Sequence, residues 1–557
     1  MPPVIVIGVD GMPPRLLDRL ISDGYMKAYG GLRNRGCAFT LRSTPNYQSA
    51  SAWTSMVTGT NPGKHGILHF TNPLRSGYGC EQIDRRAVRF PSIWRLLSDA
   101  GTKVAALNVP VSFPAEAVKG VMIAGWLCPS ENSEGFTWPP ELAAEITSHC
   151  GSYPIHPDLR RHAERGRYDR ASAVAAEGIR AKLDVARWLL RRETPDLLWV
   201  VVTELDSLQH WCWHLIDEEH PEHDPRLASR WREVILAAYR ALDEQVQLLL
   251  DDAGPDADVL IVSDHGQVPN SRAQVLLRPW LVDAGYLVPQ RRSPLRRGAD
   301  ALLGGGFEML RSGATNRLKV RLRSRFGGLQ SLAQTGVRAT EADWTSTRAW
   351  TETGHIFVNL RGRQPLGIVE PGEDYEALLS DLTGGLLELR DERTGEPVVA
   401  EVTRGDAVFA GPAASMMPDL LVHWRSDLSV SKLSHVMDGR RRIVVRRRPP
   451  SLPPGAHHPD GILMVAGPSF RQCNAGEAHT VYDIAPTLLH LLGRPVPEWF
   501  DGRVMTDLLA ETAAEGIGQV AVNEERQFAG DDTCSPQLQE QGKAEIERRL
   551  RSLGYLD

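Results

Sequence analysis

Short apolar runs rich in Val, Ile and Leu recur along the chain, separated by stretches in which apolar residues return every three or four positions. The clearest runs are VIVIGV (4–9), KVAALNV (103–109), GVMIAG (120–125), DLLWVVV (196–202), ADVLIVS (257–263), HIFVNL (355–360), DLLVHW (419–424) and GILMVAG (461–467). Runs of this length without polar alternation fit strands buried on both faces. Helical spacing fills 171–192, with Ala, Leu and Trp on one face and Arg191 and Arg192 at its end, and also 229–252. The alternation predicts an α/β protein with a largely parallel sheet and helices on both sides.

Two basic segments break that rhythm. Residues 291–325 carry ten Arg or Lys against Asp300 and Glu308, with GGG at 304–306, and read as an insertion or surface loop. Arg440–Arg442 and Arg446–Arg448 flank a second short apolar triplet. Either segment is a solvated face or an attractor of an anionic substrate. The expected organisation is one catalytic α/β core in two parts, 1–269 and 351–510, with an inserted, partly basic cap at 270–350. Residues 511–557 form a polar tail with one helix.

Composition narrows the class without choosing the chemistry. The 557 residues are 42% hydrophobic and 24% charged, as in an ordinary globular protein. Net charge is −6, from 63 basic and 69 acidic side chains, which excludes a polycationic nucleic-acid coat. No run approaches the roughly 18 apolar residues of a membrane span, and VIVIGV is too short for a secretory core. A cytoplasmic protein is expected, without membrane or nucleic-acid partner. The seven cysteines are scattered and form no CxxC pair, so neither a disulfide framework nor a thiolate zinc site is expected. The 14 tryptophans, Trp53, Trp126, Trp211 and Trp213 among them, read as packing rather than base-stacking residues.

Three of the apolar runs end on acids: VIVIGV runs into Asp10, LLWVVV into Thr203-Glu204-Leu205-Asp206, and DVLIVS into Asp264-His265-Gly266. In an open parallel sheet the loops beyond the carboxyl ends of the strands meet at one crevice, where ligands bind. Carboxylates held that close repel and are costly to desolvate unless cations neutralise them. Asp206 and His210 are four apart and share a face if helical. Oxygen and imidazole donors in such a cluster suit divalent metal, and a metal pair suits displacement at phosphorus. A nucleophile could come from Ser43, Thr44, Ser49 or Ser51. Ser49 opens SASAWTSMVTG, a predicted helix closed by Gly59, where unpaired N–H groups favour negative charge; as a plain N-cap it would have no such role.

These motifs resemble the alkaline phosphatase superfamily, closest to its type I phosphodiesterase/nucleotide pyrophosphatase branch. The resemblance rests on GVDG (8–11), SASAWTSMVTGTNPGKHGI (49–67), the Asp-x-x-x-His of 206–210, SDHG (263–266), GAHHPDGILMVAGP (455–468) and YDIAPTLLHLLG (482–493). It implies a three-layer α/β/α sandwich with a mainly parallel sheet and a smaller inserted cap. It further implies one metal held by Asp206, His210 and His457, a second held by Asp10, Asp264 and His265, and Ser49 bridging them as nucleophile. Two divalent ions are implied, zinc first and manganese as the alternative. His458 and His214 are the competing imidazoles.

The implied activity is hydrolysis of a small phosphorylated substrate, a phosphodiester, through a phosphoseryl intermediate. Phosphomonoesterase and phosphomutase-like isomerase activities are the alternatives, and a homodimer is a common state of such enzymes. Two departures limit the carry-over. The family's phosphate-contacting Asn, 21 positions after the nucleophile, is Phe70 here, so nucleotide specificity does not transfer. Residues 49–53 lack the Pro and Arg of the sulfatase signature. Asn108, just after an apolar run, is left outside the site as a turn former.

Overall fold

The computed structural model describes residues 2–74, 77–290, 342–437, 439–445, 452–473 and 478–514. The basic insertion at 291–325, Arg446–Arg448 and almost all of the 511–557 tail lie outside the described residues.

Among them, the central sheet has nine strands in the order His479–Thr480, Cys37–Arg42, Asp460–Ala466, Asp258–Val262, Val4–Val9, Leu197–Val202, Val104–Leu107, Gly120–Ile123 and Thr137–Trp138. The five strands from Asp258–Val262 to Gly120–Ile123 are mutually parallel. Asp460–Ala466 runs against both of its neighbours. Alternate residues feed two cores, as the period of two along a strand requires: Ile5, Ile7 and Val9 face one, Val4 and Val6 the other. On the first side lie the helices Tyr168–Glu193, Glu204–Ile216 and Pro225–Ala253; on the second lie Ser49–Thr58 and Ile484–Leu491. This is the three-layer α/β/α arrangement.

Two of the apolar runs do not join that sheet. Those at 355–360 and 419–424 become His355–Val358 and Leu420–Trp424, inner strands of a separate four-stranded antiparallel sheet. With the helix Glu373–Leu387 they close a third core around Trp280, Ile356, Leu382 and Leu420. A short apolar run states that a strand is buried, not which sheet buries it. The sheet, helix and third core together form the cap.

Cys37 and Cys473 are joined by a disulfide, a single bridge where the scattered cysteines suggested no disulfide framework. Cys37 pairs with Val465 across the sheet, and the chain then returns so that the Cys473 N–H donates to the Gly36 carbonyl at 3.2 Å. A separation of 436 residues hides that proximity from the sequence. No helix among the described residues is long and apolar enough to cross a membrane.

Candidate metal centre

Three adjacent strands deliver the acids. Val4–Val9 lies between Asp258–Val262 and Leu197–Val202, so Asp10, Asp264 and the start of the helix Glu204–Ile216 emerge side by side. All three carboxylates are buried. Gly11 turns the chain with φ +72°, and a Cβ there would meet Asp206 Oδ1 at 2.8 Å, so the residue permits both the left-handed turn and the close approach of that carboxylate. The Gly11 N–H donates to Asp264 Oδ1 at 3.3 Å, and Gln209 Nε2 donates to the Gly11 carbonyl at 3.0 Å.

The imidazoles arrive by two routes. His210 lies one helical turn beyond Asp206, with its Nε2 3.4 Å from Asp206 Oδ1. His457 sits on the short strand Gly455–His458, which pairs antiparallel with Gly266–Pro269 and places His457 opposite Gln267. Its neighbour His458 faces elsewhere, accepting from the Asp460 N–H at 3.2 Å. His214, on the next turn after His210, lies beside His220, with ring centroids 6.2 Å apart.

Each of the three histidines donates Nδ1–H to a backbone carbonyl: His210 to Gly455 at 3.0 Å, His265 to Gly266 at 2.9 Å, and His457 to Tyr47 at 3.0 Å. When neutral, each ring then carries its lone pair on Nε2, and all three Nε2 atoms face the cluster. His210 Nε2 and His457 Nε2 are 2.9 Å apart. Two lone pairs at that distance repel unless a cation lies between or beside them. Asp10, Asp264 and His265 form one group able to hold a metal ion, and Asp206, His265 and His457 form another.

Electrostatics give the same reading. Burial, and then the charges of Asp264 and Asp206, raise the Asp10 carboxyl well above its ordinary range. Burial pushes Asp264 up to about 6. Burial, with His265 and His210 beside it, lowers His457 well below the usual imidazole range. Among the described residues, Asp264 Oδ2 is buried without a hydrogen-bond partner, and the His265 ring lies 3.4 Å away. Three buried acids and three inward lone pairs are the donor set of hard or borderline divalent cations, so the residues fit the expected metal.

Ser49 is the first residue of the helix Ser49–Thr58, with Gln48 rather than Ser49 at the cap position. Its hydroxyl is buried, 2.9 Å from His265 Nε2 and 3.4 Å from Asp10 Oδ1. The seven residues singled out in the sequence therefore form one connected cluster. Ser43, Thr44 and Ser51 have hydroxyls with no such contact to the cluster; each is buried without a hydrogen-bond partner. Phe70 packs on Trp126, ring centroids 5.1 Å apart. Asn108 takes φ +60° and donates to the Val201 carbonyl at 2.8 Å.

Sequence reasoning missed several supporting side chains. Trp53, read as packing, donates its indole N–H to Asp10 Oδ2 at 2.9 Å. Its place four residues after Ser49, on the same helical face, was the available signal. Lys182 and Glu204 form a fully buried ion pair at 2.7 Å that anchors the start of the Asp206 helix. No sequence signal pointed to Tyr47, His69, His355 or His423.

A family model described as type I phosphodiesterase / nucleotide pyrophosphatase matches residues 4–422. No curated protein matches the chain. Phosphonoacetate hydrolase from Sinorhizobium meliloti 1021 in complex with phosphonoformate is 15% identical, with TM-score 0.50, covering 87% of this chain and 94% of that one. The same hydrolase in complex with phosphonoacetate is 16% identical over the same shares, also with TM-score 0.50. Murine ectonucleotide pyrophosphatase / phosphodiesterase 5 is 12% identical, with TM-score 0.48, over 91% of this chain and 100% of that one. The fold is the alkaline-phosphatase-like sandwich anticipated above.

Proposed function

This chain belongs to the type I phosphodiesterase / nucleotide pyrophosphatase family and is a phosphoric ester hydrolase, and we propose that it cleaves phosphodiesters with Ser49 as the nucleophile. One observation carries the reading: the Ser49 hydroxyl lies 2.9 Å from His265 Nε2 at the start of a buried helix, beside two groups of metal-donor side chains. Asp10, Asp264 and His265 would hold one divalent ion, and Asp206, His210 and His457 a second, with zinc as first choice and manganese as the alternative. When bound, the ions supply positive charge that favours ionised Ser49 and neutralises the phosphoryl oxygens.

The chain's own groups then account for each step. The Ser49 Oγ–H gives up its proton to solvent, and Oγ attacks phosphorus in line with the departing alcohol. The Ser49–phosphorus bond forms as one ester bond breaks, and the leaving oxygen takes up a proton. First-turn N–H groups of the helix Ser49–Thr58 face the phosphoryl oxygens, where the helix dipole favours negative charge. Water then attacks the phosphoseryl group from the opposite side, the Ser49 Oγ–phosphorus bond breaks as the new bond forms, a proton of that water passes to Ser49 Oγ, and configuration at phosphorus is retained overall. Trp53 holds Asp10, and Gln209 with Gly11 holds the Asp206 helix against the neighbouring loop.

The test pairs metal analysis with bis-p-nitrophenyl phosphate and p-nitrophenyl phosphate assays. Faster turnover of the diester, lost in Ser49→Ala while bound metal is retained, is the expected result. Unchanged turnover in Ser49→Ala rejects the nucleophile, and preference for the monoester rejects the diester reading. A cytoplasmic location rests only on the sequence pattern; the Cys37–Cys473 bond weighs against it, because reducing compartments keep thiols free.

A further inference from the structure

The cap supplies a group that this chemistry does not use. His355 opens the cap strand His355–Val358 and is only 6% exposed. Among the described residues, neither of its ring nitrogens has a hydrogen-bond partner. A buried imidazole normally satisfies at least one nitrogen, so two bare ones ask for a partner that arrives from outside the chain.

Its surroundings tie it to the metal centre. His69 lies close enough to both His457 and His355 to disfavour a proton on either. On the adjacent cap strand, His423 Nδ1 is 2.9 Å from the Tyr47 hydroxyl, and the Tyr47 carbonyl holds His457 Nδ1 at 3.0 Å. Two hydrogen bonds through one residue thus connect the cap to the cluster. His423 acts electrostatically on His355 as well.

His355, His69 and His423 are polar and neutral, and the charge beside them, Glu401 paired with His423 across the strands, is negative. Burial pushes His355 down to about 3 and His69 down to about 4, and it lowers His423. Among the described residues the only buried Lys or Arg is Lys182, already neutralised by Glu204. A neutral imidazole offers one N–H and one lone pair, which complement a hydroxyl. It offers no counter-charge to a second phosphate or a carboxylate, which would be costly to bury there.

We propose that His355 is a specificity-determining contact, binding a hydroxyl of the alcohol that stays on phosphorus when Ser49 attacks. The favoured substrates are then singly charged phosphodiesters of a hydroxyl-bearing alcohol, in preference to diphosphate or carboxylate-bearing esters. This rests on the phosphodiesterase reading above and names its substrate class.

The experiment compares glyceryl p-nitrophenyl phosphate with methyl p-nitrophenyl phosphate, which share a leaving group and a charge and differ in hydroxyls. Wild-type kcat/KM is expected to favour the glyceryl ester by about tenfold, and His355→Ala to reduce that preference to within about twofold, the scale of one buried hydrogen bond. His355→Gln, which keeps a donor and an acceptor, retains most of the preference. Calorimetry on the metal-loaded Ser49→Ala protein reads binding without turnover: adding His355→Ala raises Kd for the glyceryl ester about tenfold and leaves the methyl ester nearly unchanged. Equal wild-type rates on the two esters, or a preference that survives in His355→Ala, overturn the proposal. Release of p-nitrophenol from neither ester overturns the phosphodiesterase reading instead, and the calorimetric comparison then still decides the role of His355.

Discussion

At the strand ends, three histidines each spend Nδ1 on a backbone carbonyl and turn Nε2 toward the cluster; in the cap, His355 has no hydrogen-bond partner for either nitrogen among the described residues. The strand-end imidazoles are fixed in tautomer and direction before anything binds, as metal ligands must be. The cap imidazole is buried but uncommitted, as suits a contact completed by substrate. On the proposed reading, the difference separates two tasks: the parallel sheet carries the chemistry, and the antiparallel sheet meets the organic part of the ester.

The largest effects should come from the strand-end side. Ser49→Ala is expected to lower kcat on bis-p-nitrophenyl phosphate by on the order of 10³-fold or more, the scale of losing a nucleophile. His457→Ala should lose metal and activity together, whereas His458→Ala should keep both; the reverse would exchange the two imidazoles. Lys182→Met leaves Glu204 buried without its partner and should cost about 3–5 kcal/mol of stability, measured by denaturant unfolding of the metal-loaded protein. A cost near zero would mean that the pair does not anchor the Asp206 helix.

Gly11→Ala sharpens the comparison at smaller scale. The added Cβ meets Asp206 Oδ1 at 2.8 Å in a left-handed turn, so a loss of about 1–3 kcal/mol and weaker metal retention are expected. Tyr47→Phe removes only the cap-side bond to His423 and leaves the carbonyl that holds His457. It should raise KM a few-fold, about one hydrogen bond, with kcat nearly constant. A large fall in kcat would show that cap and cluster are not separable.

The same division explains what could be read from the sequence. Asp10, Asp206 and Asp264 each follow an uninterrupted apolar run, and a parallel sheet must gather such ends at one edge. His210 follows from helical spacing, because four residues return a side chain to one face. His457 lies on a short strand whose place is set by antiparallel pairing opposite Gln267, so only the resemblance to a G-x-H-x-x-D-G stretch marked it. The runs at 355–360 and 419–424 were legible as buried strands but not as cap strands, since periodicity does not encode the partner sheet. His355 follows no motif at all. Its role depends on the cap core placing it next to His69 and His423, a tertiary outcome with no local signature. The Cys37–Cys473 bond was hidden for the same reason.

On the proposed reading, the strand-end side chains hold two divalent cations beside Ser49. Inductively coupled plasma mass spectrometry on protein equilibrated with zinc and then desalted tests it most directly. The wild type and Ser49→Ala should each retain two zinc ions per chain, and Asp206→Asn and Asp264→Asn should each retain fewer. A wild type that retains none, or Asp variants that retain as much as the wild type, would contradict the claim.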